Sequence, residues 1–562
     1  MRTPFAPAAP KPNLTEQQSI LALESAPKVK HWLARYPKST LVKQAKYDST
    51  YHDWSVGIWS AKAGEVASGR VDDLNGIATE SWTGPQVAWK MARGGNGGAF
   101  GGKKINSWPV WLGLCAVFLL GLADLRRIRS LRNLDLVALL SFTVSLWYFN
   151  HGHIFASASL VYPGLAYLLG RTLWIGIRDR PPPTSRPLWP IWLLAAATVF
   201  LGGFKVGLNL RDSNVIDVGF AGPIGAERIV HGQSPYGNFP VEESLKPCGP
   251  ADRDGEIRER IQTNGRCEAA NPNGDTYGPV SYLAYIPGYA FFGWSGKWDD
   301  LPAAHFTSIV FDMLCLIGVG LAGRRFGGNR LGVTLAFAWA AYPFTQYVSQ
   351  SNTNDAIMPA FLIWGFLLVT SHWARGFFAG LAGWTKFAAL IVAPMWATYP
   401  ELRHSHRTGR WFLAGFGLAT VAAFWVLFLE PNPLHAARLF WDRTIPTQVD
   451  RHSPFSIWDW GQYHAAGIPA LGWIQKGLEV VLAAGALLLA VRPRKKSPLQ
   501  LAALTGALLI GFEAVLTHWF YLYLPWFFAF AAYAVLAGEP RPAEAPVPST
   551  DERPARELVT AG

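Results

Sequence analysis

Charged side chains make up only 16% of this 562-residue chain. A soluble chain of that length would fold as three or four domains, and so little charge does not suit their surfaces. Acid is scarcer than base, with 38 Asp and Glu against 50 Lys and Arg, a net charge of +12. No internal repeat is visible, which weighs against the duplicated architectures of secondary transporters. No apolar leader precedes the first hundred residues, so nothing in the sequence explains how they would be exported. No spacing of ligands demands a metal ion, although carboxylates on an outer face are chemically able to hold a divalent cation.

What the chain does have is apolar length. Half of it is hydrophobic and 14% is Trp, Phe or Tyr. Stretches long enough to cross a bilayer recur from Trp108 onward, each closed by a short polar or basic loop. Spans are expected near 107–123, 134–149, 154–177, 188–210, 303–322, 330–348, 356–371, 411–429, 469–491, 499–516 and 518–537. The expected fold class is therefore mainly α, a polytopic transmembrane helical bundle of about eleven spans plus re-entrant or interfacial helices. The basic excess is not spread as a nucleic-acid surface would be. It crowds the loops "LRRIRSLR", "RDRPPPTSR", "RRFGGNR", "ELRHSHRTGR" and "VRPRKK", while "NHGH" and "VSQSNTND" carry no Lys or Arg. That asymmetry places the basic loops in the cytoplasm.

Two apolar segments fit no single crossing. Residues 376–398 lie between Arg375 and Arg403, which puts both ends on the cytoplasmic side and predicts a broken, re-entrant helix pair with Lys386 near its tip. Residues 279–294, interrupted by Pro287 and Gly288, read as an interfacial or re-entrant helix on the outer side. Loops 211–278 and 430–467 and the N-terminus then face outward, and the C-terminus faces inward. Of the four cysteines, Cys115 and Cys315 lie in apolar spans, whereas Cys248 and Cys267 share the first outer loop. An oxidising compartment would let that pair close a disulfide worth about 3 kcal/mol; two free thiols are the alternative.

The first 93 residues read as a small α+β domain. "ILALESAPKVKHWLARYP" looks helical, "HDWSVGIWS" alternates as a half-buried strand, and "EVASGRV" and "IATESW" flank the turn "DLNG". Residues 94–106 form a Gly-rich linker whose "GGNGGAFGGKK" falls short of a phosphate-binding loop, since Lys104 replaces the expected Ser or Thr. The membrane domain covers 107–537, and the Pro- and charge-rich tail 538–562 should be disordered.

Polar residues with chemical capacity gather in the outward loops. Asp217 follows an apolar run directly, with Asp212 nearer the lipid, and "VGFAGPIGAERIVHGQSPYG" after it brings Tyr236 and a series of small residues. Asp275 and Tyr277 stand at the entrance of the short outer segment. Asn352, Asn354 and Asp355 lie between two spans. Arg443, Arg451, His452, Trp458 and Trp460 occupy the last large outer loop. Each has a plain structural reading: a juxtamembrane cap for Asp217, interface aromatics, an Asn-rich turn, a snorkelling helix-end lysine for Lys386. Together, acid, cation and aromatic groups at one lipid–water boundary suit a substrate with a lipid tail, a phosphate and a polyol.

At these residues the chain resembles the GT-C-type, polyprenol-phosphate-sugar-dependent membrane glycosyltransferases, in particular glycosyltransferase family 87. The resemblance rests on "DVGFAGPIGAERIVHGQSPYG", "TYGPVSYLAYIP", "SNTNDA", "GLAGWTKFAALIVAP" and "RHSPFSIW", over about residues 188–537. It implies transfer of a hexose, such as mannose, from a polyprenyl-phosphate donor to an exoplasmic glycolipid or cell-envelope glycan acceptor. Asp217 would be the general base, with inversion at the anomeric carbon. Phe220 stands where such proteins often have Tyr, and the N-terminal domain and first three spans are additions. The implied partners are membrane lipids, the lipid-linked donor and the acceptor. A transporter or flippase of lipid-linked sugars, or a sensor built on the N-terminal domain, are the rival expectations; a transporter should carry ionisable residues deep in its spans.

Overall fold

The computed structural model describes residues 11–49, 52–60, 64–84, 87, 100–182, 189–239, 246–247, 259–261, 268–269, 274–294, 301–401, 405–449, 453, 455–460 and 471–538. Cys248, Cys267, Arg451 and His452 lie outside them.

The first helix begins where the sequence supplies both halves of a cap. Thr15 accepts from the Gln18 N–H while the Gln18 side chain accepts from the Thr15 N–H, which starts α1 (Glu16–Ser25); Pro27 opens α2 (Pro27–Leu33). Four strands follow, β1 (Leu41–Asp48), β2 (Asp53–Ser60), β3 (Gly64–Asp72) and β4 (Ala78–Thr83), in an antiparallel sheet ordered as in the chain. The alternating Trp54, Val56 and Ile58 of β2 pack with Leu23, Val29 and Leu33 of the helices. The "DLNG" turn forms because the Asp72 carboxylate accepts from the Leu74 and Asn75 N–H groups at 3.1 and 2.9 Å and Gly76 takes a φ of +68°. β1 is an addition to the expected elements. It is the sheet edge, and its exposed Val42–Gln44 stretch gives it no readable alternation. The sheet domain meets the helical part at Trp32, which stacks on Phe155 at 5.9 Å, and Phe155 meets Trp460 edge-on at 5.5 Å.

Among the described residues, six helices are long and apolar enough to cross a membrane: Ile154–Arg178, Ile191–Asp212, Pro302–Ala341, Thr408–Leu429, Gly472–Val491 and Pro498–Val515. Shorter apolar helices cover Trp108–Leu122, Asn354–Leu367, Phe387–Ala397 and Tyr521–Leu536. Several expected spans are subdivided. Residues 134–149 fall into Leu131–Leu140 and Phe142–Asn150, and 330–348 divides at Tyr342 between Pro302–Ala341 and Pro343–Gln350, while the loop expected between 303–322 and 330–348 is a break within Pro302–Ala341 at Gly328, whose φ is +79°. The last span does not begin at 518: its helix Leu524–Leu536 follows a single 3₁₀ turn, Tyr521–Tyr523.

Burial divides these helices into centre and periphery. Leu524–Leu536 is buried along its whole length and 78% of the apolar window of Pro498–Val515 is buried, against 28% for Ile191–Asp212 and 22% for Gly472–Val491. The outer helices turn Trp192, Val199, Phe200, Val480 and Leu487 outward. An apolar outer surface on this scale suits hydrocarbon, not water.

Charges also occur inside. Arg171 pairs with Asp135 at 3.0 Å, where Tyr167 also donates, and Lys205 pairs with Asp312 at 3.0 Å beside the Trp339 indole. Sequence reading singled out the ionisable groups of one interface; these pairs within candidate spans are a correction to that picture.

The segment 376–398 does go out and return. Helix His372–Thr385 stops at Lys386, which is extended (φ −138°, ψ 126°), and the turn Phe387–Val392 and helix Ala393–Ala397 lead back. Arg375 is not the exposed flanking charge expected. Fully buried, it donates to the Val369 carbonyl before the pair and, at 2.9 Å, to the Tyr399 carbonyl after it. One side chain thereby holds both ends of the segment together. Residues 279–292 form two short helices, Pro279–Leu283 and Ile286–Phe292.

Candidate functional site

After Asp212 the chain runs alongside the Gln350–Ser351 backbone, with Asn214 N–H donating to Gln350 O at 3.1 Å and Ile216 N–H to Ser351 O at 3.2 Å. Helix Asp217–Val230 starts at that point and sets Asp217 in its first turn, half-buried, with Oδ1 accepting its own neighbour's Val218 N–H at 2.9 Å. The small residues after it have a steric reason. A Cβ on Gly219 would collide with the Asn352 carbonyl, and Cβ atoms on Gly222 and Gly225 would enter the rings of Tyr285 and Tyr282. Glycine lets this helix lie directly against its neighbours.

The "SNTNDA" stretch makes the facing wall. Asn352 turns the chain with a φ of +47°, and its amide is fixed by Asn209, Ser213 and the Asn214 carbonyl at 2.8–3.0 Å. The 3₁₀ turn Asn354–Ala356 follows, and Thr353 both accepts from the Asp355 N–H and donates to its carboxylate. Asp355 Oδ1 receives Lys386 Nζ at 2.6 Å and Trp526 Nε1–H at 3.1 Å, with the two charged side chains only 9% and 2% exposed. Three rings surround the ammonium: Tyr277 and Trp526 at 5.2 Å and Tyr523 at 5.5 Å from their centroids. Lys386 is thus neutralised by one carboxylate and caged by π-faces.

Several of these groups line one cavity whose open space, the solvent at its mouth included, is about 380 Å³. Four residues expected at a site line it, Asp217, Tyr277, Asp355 and Lys386, together with Ile216 and Val218. The rest of its wall was not anticipated: Phe100, His518, Phe520, Leu522 and Tyr523. His518 is held by Ser453 at 2.9 Å (Nδ1 to Oγ). The crowding of "THWFYLY" at the head of an apolar segment was the available signal for the last four. Phe100 sat in what read as a linker.

The other expected residues are placed around the cavity. Tyr236, buried, donates to the Tyr277 carbonyl at 2.9 Å and so supports a lining residue. Asp275 is fully buried, accepts from the Gly237 N–H at 2.8 Å and lies 3.3 Å from Arg443. Burial pushes its carboxyl above the usual range, and the Gly237 N–H and Arg443 pull it back. Asn354 is buried, and its Oδ1 finds no partner among the described residues. Asp212 does not reach the cavity wall: its carboxylate accepts from the Lys104 N–H at 3.0 Å. Trp458 is anchored elsewhere, donating to the Ala514 carbonyl at 3.0 Å with its ring against Tyr162. Among the described residues no three His, Cys, Asp or Glu side chains converge as metal ligands.

Chemically the cavity offers a carboxylate at a helix start, a caged cation already paired, an imidazole and a mostly aromatic wall. No protein-family model, curated protein or solved structure matches the chain.

Proposed function

We propose that the chain is an integral membrane glycosyltransferase of GT-C type, with about eleven spans, that moves a hexose from a polyprenyl-phosphate donor to an exoplasmic glycolipid or glycan acceptor. The observation that carries this reading is the meeting of Asp217 with the Lys386–Asp355 pair in one aromatic-lined cavity, within a bundle of apolar, outward-facing helices.

In this mechanism Lys386 takes the donor phosphate, exchanging its contact with Asp355 for one with the phosphate oxygens. The Asp217 carboxylate removes the proton of the acceptor hydroxyl as that oxygen attacks the anomeric carbon. The new C–O bond forms on the face opposite the breaking bond to phosphate, the lipid phosphate leaves with the electron pair beside Lys386, and the anomeric centre inverts. Asp217 then gives its proton to water.

A flippase for lipid-linked sugars is the second reading, and the buried Lys205–Asp312 pair inside two candidate spans is what favours it. Purified protein in liposomes, given labelled polyprenyl-phosphate hexose and envelope glycolipids, separates the two. Asp217→Asn keeps shape and removes basicity, so turnover should fall by at least about two orders of magnitude while donor binding stays within a few-fold. Asp212→Asn should retain most activity, since an amide oxygen also accepts from Lys104. Undiminished transfer in Asp217→Asn, Asp212→Asn and the double variant would remove Asp217 as the base, and movement of the intact labelled lipid across the bilayer with no transfer by wild type would leave the flippase as the better account.

A further inference from the structure

The stretch Phe100–Lys104 reads as linker, yet it is built into the cavity. Phe100 is 2% exposed, lines the cavity and packs against Phe149, Tyr347 and Phe520 at 6.2, 6.3 and 5.3 Å. The two glycines after it both have left-handed backbones, φ +79° and +81°. Gly101 N–H donates to Asn214 Oδ1 at 2.6 Å, and a Cβ on Gly102 would stand 2.8 Å from the Asp212 carbonyl oxygen. Asn106 donates to the Phe100 and Gly102 carbonyls at 2.6 and 2.8 Å. Asp212 and Asn214, the residues that hold this turn, are the ones that lead into Asp217.

The aromatic side of the cavity is a series of rings with two ends. It runs from Tyr523, which stacks on Trp526 at 4.2 Å beside Lys386, through Phe520 to Phe100. Phe100 is the far member of this ring series from the cation, and the residue after it bonds Asn214 in the segment that leads into Asp217. A ring there takes no part in proton transfer or phosphate contact; what it sets is the room in front of Asp217.

We infer that Phe100 is a specificity-determining residue for the acceptor, held in place by the Gly101–Gly102 turn, and that its ring limits the size of the sugar presented to Asp217. This rests on the transferase reading. Removing the ring enlarges that end, and Gly102→Ala shifts the ring without altering it, through strain at a left-handed φ and contact with Asp212.

The test compares full-length wild type, Phe100→Ala, Phe100→Leu and Gly102→Ala with a short-chain polyprenyl phosphate mannose as donor and an alkyl monosaccharide or alkyl disaccharide as acceptor. The kcat/KM ratio of disaccharide to monosaccharide should rise about tenfold or more in Phe100→Ala and Gly102→Ala and by less in Phe100→Leu, with donor KM within a few-fold. Phe100→Leu keeps an apolar filler, so it reports even if the alanine variant fails to fold. An unchanged ratio in every folded variant overturns the inference, and a change in the Phe100 variants without one in Gly102→Ala overturns the role of the Gly101–Gly102 turn. A second readout needs no catalysis. In Val218→Cys, maleimide modification of the peptide containing residue 218, followed by mass spectrometry, should speed up severalfold when Phe100→Leu or Phe100→Ala is added. Equal rates would show that Phe100 does not close the cavity, whatever the protein transfers.

Discussion

Lys386 and Asp355 form a pair that substitution can take apart in two steps. With Nζ to Oδ1 at 2.6 Å and both side chains nearly buried, Lys386→Met strands a carboxylate that keeps only its Trp526 and Thr353 donors. Breaking a buried pair in this way costs about 3–5 kcal/mol of stability. A charge-assisted contact to a donor phosphate is worth about 1.5–3 kcal/mol, so the same variant should also bind donor about ten- to a hundredfold more weakly. The single variant confounds the two effects. The double variant Lys386→Met with Asp355→Asn separates them, because it removes both charges while Asn still accepts from Trp526. Its thermal stability in detergent should return most of the way to wild type, and its affinity for labelled polyprenyl-phosphate hexose, measured by equilibrium binding, should stay low. Wild-type donor affinity in the double variant would mean that Lys386 serves Asp355 alone and that the donor site is elsewhere. A single Lys386→Met variant as stable as wild type would mean that the ion pair is not formed.

Two further outcomes test the frame around the site. Gln233 and Asn329 are both exposed; in intact cells a membrane-impermeant maleimide should modify Gln233→Cys and leave Asn329→Cys untouched, and equal modification would overturn the assignment of sides. Asp275 has a raised carboxyl pKa through burial, so the folded state holds its proton to higher pH than the unfolded chain does. Its contribution therefore falls as pH rises from the ordinary carboxylate value of about 3.9 through the raised one, and is constant above. The difference in Tm between Asp275→Asn and wild type should grow over that window and then level off; a difference independent of pH would refute the assignment.

Local signals accounted for much of the architecture. The alternation of Trp54, Val56 and Ile58 and the Asp-Leu-Asn-Gly turn are short-range properties, readable because burial on one face imposes a period. The return of 376–398 was readable from the charge at its ends, although the flanking Arg375 acts as a buried staple and not as a loop charge. The break at Gly328 was readable, since it falls in the basic loop "RRFGGNR" between two expected spans, whereas the subdivisions at Ser141 and Tyr342 were not, since apolar composition continues through both.

The sequence by itself determined that this chain is apolar, helical and studded with polar loops, because hydrophobic length and turn chemistry are written residue by residue. It also put Asp217, Tyr277, Asp355 and Lys386 among the candidates. Tertiary structure decided what each of them meets. Asp212 and Asp217 look alike in sequence, yet one accepts from Lys104, more than a hundred residues earlier, and the other faces the cavity. Asp355 is joined to Trp526 across 171 positions, and Phe100 and His518 complete a wall to which no local pattern assigns them. Such contacts are set by how helices pack, and the free energy that selects them belongs to no single stretch of chain.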